Sequence, residues 1–178
     1  MARHEILSDR EIAFLRELDH RGVKFLIVGL AAATLQGAPV VTQDVDLWFR
    51  DLGDPRIRQA LRKFGGTYVP PLRLNPPMMA GKGLELFDIV MTMHGLGTFD
   101  EEWAGALEIR IGRFRAHVLP LDRIIRSKSV LRRPKDKRVL PVLRDVWKTL
   151  QARRRGRGQS VVNRGQKGKV GESASRRV

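Results

Sequence analysis

The chain of 178 residues contains no cysteine, which excludes disulfide frameworks, thiolate zinc sites and cysteine nucleophiles. Its longest apolar run, residues 25–33, is too short to cross a bilayer. No apolar segment typical of a signal peptide follows the charged residues 1–5, so we expect a cytoplasmic protein with no membrane partner. The four histidines lack the spacing of metal ligands and are expected at the surface or at strand ends.

Acidic residues are also scarce relative to basic ones. Lys and Arg number 34 against 19 Asp and Glu, which gives a formal net charge of +15. The excess is concentrated at the C-terminal end, where residues 151–178 carry a net charge of +8. A surplus of this sign favours a polyanionic partner such as RNA, DNA or a nucleotide phosphate.

Residues 151–178 are rich in Arg, Lys and Gly and show almost no apolar periodicity. Such a segment cannot bury enough surface to offset the entropy of ordering, so we predict a domain at residues 1–150 and a disordered basic tail at 151–178. The tail is either an electrostatic arm for nucleic acid or a solubilising extension.

Capping residues and apolar spacing predict alternating helices and strands. Ser8 and Glu11 form a capping box, and Asp54 with Pro55 opens a later helix. Residues 65–83 are rich in Gly and Pro and predict an extended loop or a hairpin. We predict helices at residues 9–22, 30–35, 55–64, 121–130 and 134–150, and strands at residues 24–28, 44–49, 84–91, 108–111 and 114–119. This order predicts an α+β (mixed α/β) fold, a small mixed sheet with helices on one side.

Two aspartates stand out on the predicted strand 44–49. Asp44 and Asp46 are two residues apart and therefore point to the same face, while Val45 and Leu47 face the core. Two carboxylates that close repel each other, and a divalent cation removes the conflict. Mg²⁺ prefers carboxylate, phosphate and water oxygens. An isolated Asp-x-Asp, however, more often marks a solvated strand edge or a cap.

Two further features raise the specificity of this pattern. Asp88 lies on the next predicted strand between apolar neighbours, where a third acid would complete a two-metal site. Gly29 lies where a strand passes into a helix, and backbone amides at such a junction favour an anion. Phosphate cradle, paired acids and third acid together indicate a phosphate-handling metal site.

With these motifs the chain resembles the polymerase-beta-like nucleotidyltransferase superfamily, and within it the small bacterial proteins around the AbiEii-like toxins of abortive-infection systems. The similar segments are Gly29-Leu30, residues 36–42 and Asp44-Val45-Asp46, followed later by residues 121–128 and 132–136. The resemblance covers roughly residues 20–148, most of the predicted domain.

The resemblance implies a nucleotidyltransferase-like sheet and a metal-dependent nucleotidyltransferase. Two Mg²⁺ ions would bridge Asp44, Asp46 and a nucleoside triphosphate, and Asp88 would hold the metal that activates the attacking hydroxyl. The implied nucleotide-binding residues are Gly29, Leu30, Thr42, Lys128 and Lys135, with Arg132 or Arg133 as further cations. The acceptor would be the hydroxyl of an RNA, such as a tRNA, or of a partner protein, within a toxin–antitoxin system.

Alternative interpretations exist for the later segment. Lys128 would also fit a solvated helix face. Lys135 and Asp136 would also fit a surface pair in the first turn of a helix, where Asp136 gains from the helix dipole.

The chain departs from the family pattern at two positions. Leu30 stands in place of a small Gly or Ser, and Val40 in place of a frequent Arg, which removes one cation from the triphosphate side. These departures and the basic tail favour a second hypothesis, a catalytically degenerate protein of this fold that binds nucleic acid or regulates a partner.

Overall fold

The computed structural model describes residues 7–73 and 75–167 of the chain. Within these residues the chain forms six helices and a seven-stranded sheet. The helices are α1 (Asp9–His20), α2 (Gly29–Leu35), α3 (Pro55–Lys63), α4 (Phe99–Ala104), α5 (Leu121–Leu131) and α6 (Pro134–Lys167). The strands are β1 (Phe25–Ile27), β2 (Val45–Phe49), β3 (Thr67–Val69), β4 (Met78–Ala80), β5 (Phe87–Val90), β6 (Leu107–Ile111) and β7 (Phe114–Val118).

The sheet has the order β3-β4-β5-β2-β1-β7-β6, with β2 at its centre. β2 is antiparallel to β1 and parallel to β5, and β1 is parallel to β7. The remaining neighbours are antiparallel. The predicted mixed sheet with flanking helices is therefore confirmed.

Helices contact both faces of the sheet. Phe14 of α1 lies 5.3 Å from Phe87 of β5, measured between ring centroids. Phe99 of α4 lies 5.4 Å from Trp48 of β2, which points to the opposite face. The expectation of helices on one side is therefore wrong, because the central strands carry large apolar side chains on both faces.

Two elements refine the sequence prediction. The Gly- and Pro-rich segment forms a hairpin of β3 and β4, one of the two expected alternatives. Helix α4 was not predicted, although the sequence carries its signal: Thr98 and Glu101 form a capping box at its start. A six-residue helix is too short to show an apolar period, so only the cap could have revealed it.

Helix α6 continues to Lys167, past Leu150, where regular structure was expected to end. Gln151, Ala152 and the arginines that follow are good helix formers and extend a helix already packed against α5. The division at residue 150 stays a prediction, and residues 168–178 lie outside the described part of the chain. Within that part, no helix has the length and apolar character needed to cross a bilayer.

Candidate active site

The parallel pairing of β2 with β5 places two of the predicted aspartates side by side. Asp46 and Asp88 are direct partners in this register, so both side chains project from the same face of the sheet. Asp46 is half-buried and Asp88 is exposed. The Asp46 carboxylate thus lies at the base of the site, and the Asp88 carboxylate lies at its solvent-facing side.

Asp44 directly precedes β2 and is exposed. The Thr42 hydroxyl accepts a hydrogen bond from the Asp44 amide at 3.3 Å and donates one to the Asp44 carbonyl oxygen at 3.1 Å. Thr42 therefore fixes the turn that leads into the carboxylates. Its predicted contact with a nucleotide stays a prediction.

The charges around Asp46 show which side chains converge. Burial, followed by the negative charges of Asp88 and Asp44, raises the pKa of Asp46 from its ordinary 3.8 to about 6, while Lys128 and Lys135 oppose this shift. Burial and Asp44 also raise the pKa of Asp88, and Lys135 again opposes the shift. The three predicted aspartates and two predicted lysines therefore lie within electrostatic reach of one another.

Lys128 is held by a partner that sequence reasoning did not assign to the site. Its Nζ lies 2.8 Å from Oδ1 of Asp136, and the two side chains are 16% and 2% exposed. The alternative of a solvated helix face for Lys128 is therefore wrong, and so is that of a surface position for Asp136. A buried lysine–aspartate pair at the turn between α5 and α6 holds the ammonium group near Asp46.

The second oxygen of Asp136 has an unusual environment. Oδ2 is buried and has no hydrogen-bond partner among the described residues. An unsatisfied buried oxygen has a desolvation cost, so the pair with Lys128 bears most of the stabilisation of this carboxylate.

The turn between α5 and α6 also carries exposed cations. Lys135 is exposed, and its charge lowers the pKa of both Asp46 and Asp88. Arg132 ends α5 with a left-handed φ of 50°, a backbone conformation that is uncommon for residues other than glycine and asparagine. Arg132 and Arg133 are exposed in this turn. Their predicted contact with a triphosphate stays a prediction.

Gly29 lies directly against Asp46. It begins α2 with a φ of +63°, and a Cβ at this position would overlap the Asp46 carboxylate. The positions of Gly29 and Asp46 therefore depend on each other.

Leu30 and Val40, the two departures from the family pattern, are partly buried and packed against the core.

We expect Gly29→Ala to destabilise the protein more than Gly37→Ala. Both positions have a left-handed φ, of +63° and +94°, but a Cβ at Gly37 meets no atom within 4 Å. The conformational cost of about 1–2 kcal/mol applies to both, and displacement of Asp46 adds to it at Gly29 alone. In urea unfolding, the free energy of unfolding of Gly29→Ala should be lower than that of Gly37→Ala by at least about 1 kcal/mol. Equal losses would mean that Gly29 does not contact Asp46.

The site fits a metal ion that takes part of its ligands from a substrate. Among residues 7–73 and 75–167, no group of three or more acidic or histidine side chains forms a metal-binding cluster by itself. Mg²⁺ in nucleotide sites is usually bound by one or two carboxylates, water and substrate phosphates. Asp46 and Asp88, whose pKa values are raised partly by neighbouring carboxylates, provide this donor set. The presence of two ions stays a prediction.

A cavity of about 630 Å³ lies elsewhere, at the N-terminal end of α5. Its lining includes Gln36, Glu102, Arg123 and Trp147, and none of the three aspartates. Arg123 and Glu102, which both line it, form an ion pair. We therefore place the candidate chemistry at the beginning of β2 and β5, where Asp46 and Asp88 pair, and not in this cavity.

The fold is similar to that of solved nucleotidyltransferases. The solution structure of the antibiotic-resistance factor ANT(2″)-Ia superimposes with a TM-score of 0.54 and 15% identity, covering 88% of this chain and 95% of that one. The crystal structure of ANT(2″)-Ia in complex with adenylyl-2″-tobramycin superimposes with a TM-score of 0.52 and 16% identity, covering 79% of this chain and 87% of that one. An antigenic nucleotidyltransferase-like protein from Paracoccidioides brasiliensis gives 0.50 and 18%, covering 77% of each chain.

Comparison with protein-family models and with curated proteins gave no match. At 15–18% identity, the structural likeness defines the fold and not the reaction. The chain therefore has the nucleotidyltransferase fold, as the resemblance implied. The AbiEii-like branch stays a prediction.

Proposed function

We propose that the protein is a metal-dependent nucleotidyltransferase, which moves a nucleotidyl group from a nucleoside triphosphate to a hydroxyl. The observation that carries this proposal is the direct pairing of Asp46 with Asp88 in the register of β2 and β5, with Asp44, Lys128 and Lys135 within electrostatic reach, in a nucleotidyltransferase fold. Clustered titratable groups with shifted pKa values are typical of functional sites.

The reaction follows from the charges of these residues. The acceptor oxygen forms a bond to the α-phosphorus, the bond from this phosphorus to the bridging oxygen breaks, and pyrophosphate leaves with the electron pair. The hydroxyl proton passes to water at the exposed face of the site, and Asp88 would hold the cation that activates this hydroxyl, as the resemblance implies. Lys128 and Lys135 stabilise the negative charge that develops on the leaving pyrophosphate.

Asp46 and Asp88, with Asp44 beside them, would hold the divalent cation together with phosphate oxygens. A bound Mg²⁺ would polarise the α-phosphoryl group and offset the repulsion between carboxylates and triphosphate. Asp46 would face the metal from its half-buried position, because Gly29 leaves room for its carboxylate. The Asp136 carboxylate would keep the Lys128 ammonium group oriented towards the phosphates.

We propose an RNA or protein hydroxyl as acceptor, as the resemblance implies, with a role in a toxin–antitoxin system. One structural neighbour was solved with adenylyl-2″-tobramycin, which makes small aminoglycosides a necessary comparison. Electrostatics favour a polyanion, since a net charge of +15 repels a polycationic aminoglycoside.

A label-transfer experiment tests the proposal. The full chain is incubated with Mg²⁺, each of the four α-labelled triphosphates and three acceptor pools: RNA, protein and aminoglycoside. We expect transfer from at least one triphosphate, reduced about 10³-fold or more in Asp88→Asn. Asp19→Asn removes an exposed aspartate from α1 and should transfer at the wild-type rate. Absence of transfer to every pool, or undiminished transfer by Asp88→Asn, would contradict the proposal.

The second candidate function is a non-catalytic nucleic-acid-binding module on the same fold. The excess of positive charge favours it. Leu30 and Val40 support it less than their sequence positions indicated, since both side chains pack against the core. RNA binding that is independent of Mg²⁺ and of the three aspartates, without label transfer, would favour this candidate.

A further inference from the structure

Helix α6 carries a row of exposed cations along one side. Lys137, Arg144, Lys148 and Arg155 follow one another at intervals of seven, four and seven residues, and all four are exposed. At about 100° per residue they fall within about 40° of one another around the helix. At about 1.5 Å per residue the row is about 27 Å long. We call these four residues the basic stripe.

The opposite side of α6 attaches the helix to the domain. Leu140 and Leu143 are buried, and Val139, Val146 and Leu150 pack against the core. These residues and the basic stripe occupy different sides of the helix, so packing against α5 leaves the cations directed to solvent.

Few acids neutralise the stripe. Asp145 lies 3.7 Å from Lys148, and this exposed pair contributes little. Asp136, the other acid between residues 134 and 155, is buried against Lys128. Arg144 makes one long contact of 3.3 Å to the Ser129 hydroxyl. The stripe therefore presents a nearly uncompensated line of positive charge.

A line of Lys and Arg matches the regular charges of a nucleic-acid backbone. An anionic membrane fits less well, because a helix lies on a bilayer through an apolar side, and the apolar side of α6 is buried. A folded protein partner also fits less well, because such interfaces have an apolar centre. The exposed apolar side chains of α6, Val142 and Trp147, are separated from the stripe around the helix.

The stripe and the side of α6 that carries Lys135 are different. Lys135 is two residues before Lys137, and two residues correspond to about 200° around a helix, so the stripe is directed away from the side of Lys135. An RNA that supplies the acceptor hydroxyl of the proposed reaction is nevertheless a phosphate polymer of the kind that the stripe matches. The choice of RNA over DNA rests on the proposed function, whereas the charge match does not.

We propose that the basic stripe of α6 binds the phosphate backbone of an RNA duplex. The contacts are to phosphates, so binding is independent of base sequence and strongly dependent on salt.

The test measures the fluorescence anisotropy of a labelled hairpin RNA with the full chain, without Mg²⁺ or triphosphate. In one variant all four stripe residues are replaced, as Lys137→Gln, Arg144→Gln, Lys148→Gln and Arg155→Gln. The control removes the same charge from exposed positions elsewhere, as Arg16→Gln, Arg62→Gln, Lys82→Gln and Arg113→Gln. We expect the stripe variant to lose about 100-fold in affinity and its log–log salt slope to fall by about 3 to 4. The control should lose less than about fivefold.

The following results of the binding measurements would overturn the proposal. Equal losses in the two variants would mean that net charge, and not the stripe, determines affinity. A matched DNA hairpin bound more tightly than RNA would refute the choice of RNA, and tighter binding to phosphatidylserine vesicles or to polyglutamate would refute a nucleic-acid partner. Label transfer by the wild type and by the stripe variant is measured in parallel. Binding without label transfer would then refute the proposed function alone, and transfer by a chain with an inert stripe would refute the stripe alone.

Discussion

Asp46→Asn should abolish nucleotidyl transfer and at the same time make the protein more stable at pH 7. The loss of transfer should be about 10³-fold or more, since the carboxylate is a proposed metal and phosphate contact. Burial and two neighbouring carboxylates raise the pKa of Asp46 to about 6, so its ionised form is unfavourable in the folded protein. A shift of this size corresponds to a gain of up to about 3 kcal/mol when the charge is removed.

The stability difference between Asp46→Asn and the wild type should depend on pH in a defined direction. The pKa of Asp46 is higher in the folded than in the unfolded state, so the stabilising protonated form is fully present below about pH 4 and is lost as pH rises through about 6. The stability advantage of Asp46→Asn should therefore be largest at pH 7 and vanish near pH 4. Urea unfolding at several pH values measures it, with Asp19→Asn expected to stay within about 0.5 kcal/mol of wild type at each. A variant less stable than wild type at pH 7 would contradict the described environment of Asp46.

Asp136→Asn should destabilise the protein strongly without touching a substrate. It leaves the ammonium group of Lys128 buried without its counter-charge, and breaking a buried pair in this way costs about 3 kcal/mol or more. Transfer should fall as well, because Lys128 loses the carboxylate that orients it towards Asp46. Urea unfolding at pH 7 measures the loss of stability. Label transfer, assayed without denaturant at a temperature well below the unfolding midpoint, measures the loss of activity.

A double-mutant cycle separates this pair from general damage to the fold. The double variant Lys128→Met with Asp136→Leu removes both charges and should be more stable than the sum of the single losses predicts. Asp145→Asn is the matched control, since its pair with Lys148 on the same helix is exposed and should change stability by less than about 0.5 kcal/mol. Additive losses in the cycle would mean that Lys128 and Asp136 are not energetically coupled.

The sites of Asp46→Asn and Asp136→Asn also illustrate what the sequence could and could not predict. Asp44 and Asp46 were recognisable from local pattern, because a period of two on a strand determines a shared face. Asp88 was recognisable as an acid between apolar residues, but its position opposite Asp46 depends on the parallel register of β2 with β5. Register between strands 42 residues apart is set by the whole sheet, so the sequence identified Asp88 as a candidate third acid but did not determine that it lies opposite Asp46.

Asp136 lay beyond local pattern altogether. In sequence it is an acid in the first turn of a helix, a position that is usually exposed. Its burial results from the left-handed turn at Arg132, which folds the start of α6 back against α5 and brings Asp136 to Lys128. The full length of the basic stripe was likewise hidden, since the tail was predicted to be disordered from residue 151 and Arg155 joins the stripe only because α6 continues past Leu150.

The structure relates stability to the proposed chemistry. Arg132 in a left-handed conformation, the raised pKa of Asp46 and the unsatisfied oxygen of Asp136 all lie in or beside one site. Unfavourable local features concentrated in this way are characteristic of sites selected for function and not for stability.

Titration calorimetry tests the central claim, that these aspartates and lysines together hold a nucleoside triphosphate with a divalent cation. Non-hydrolysable analogues of the four triphosphates are titrated into the full chain at pH 6, with and without Mg²⁺. We expect binding of at least one analogue that requires Mg²⁺, releases a proton because the cation lowers the pKa of Asp46, persists in Asp19→Asn and is lost in Asp46→Asn. Binding that is unaffected by Mg²⁺ and by Asp46→Asn, or no binding of any analogue, would contradict the account.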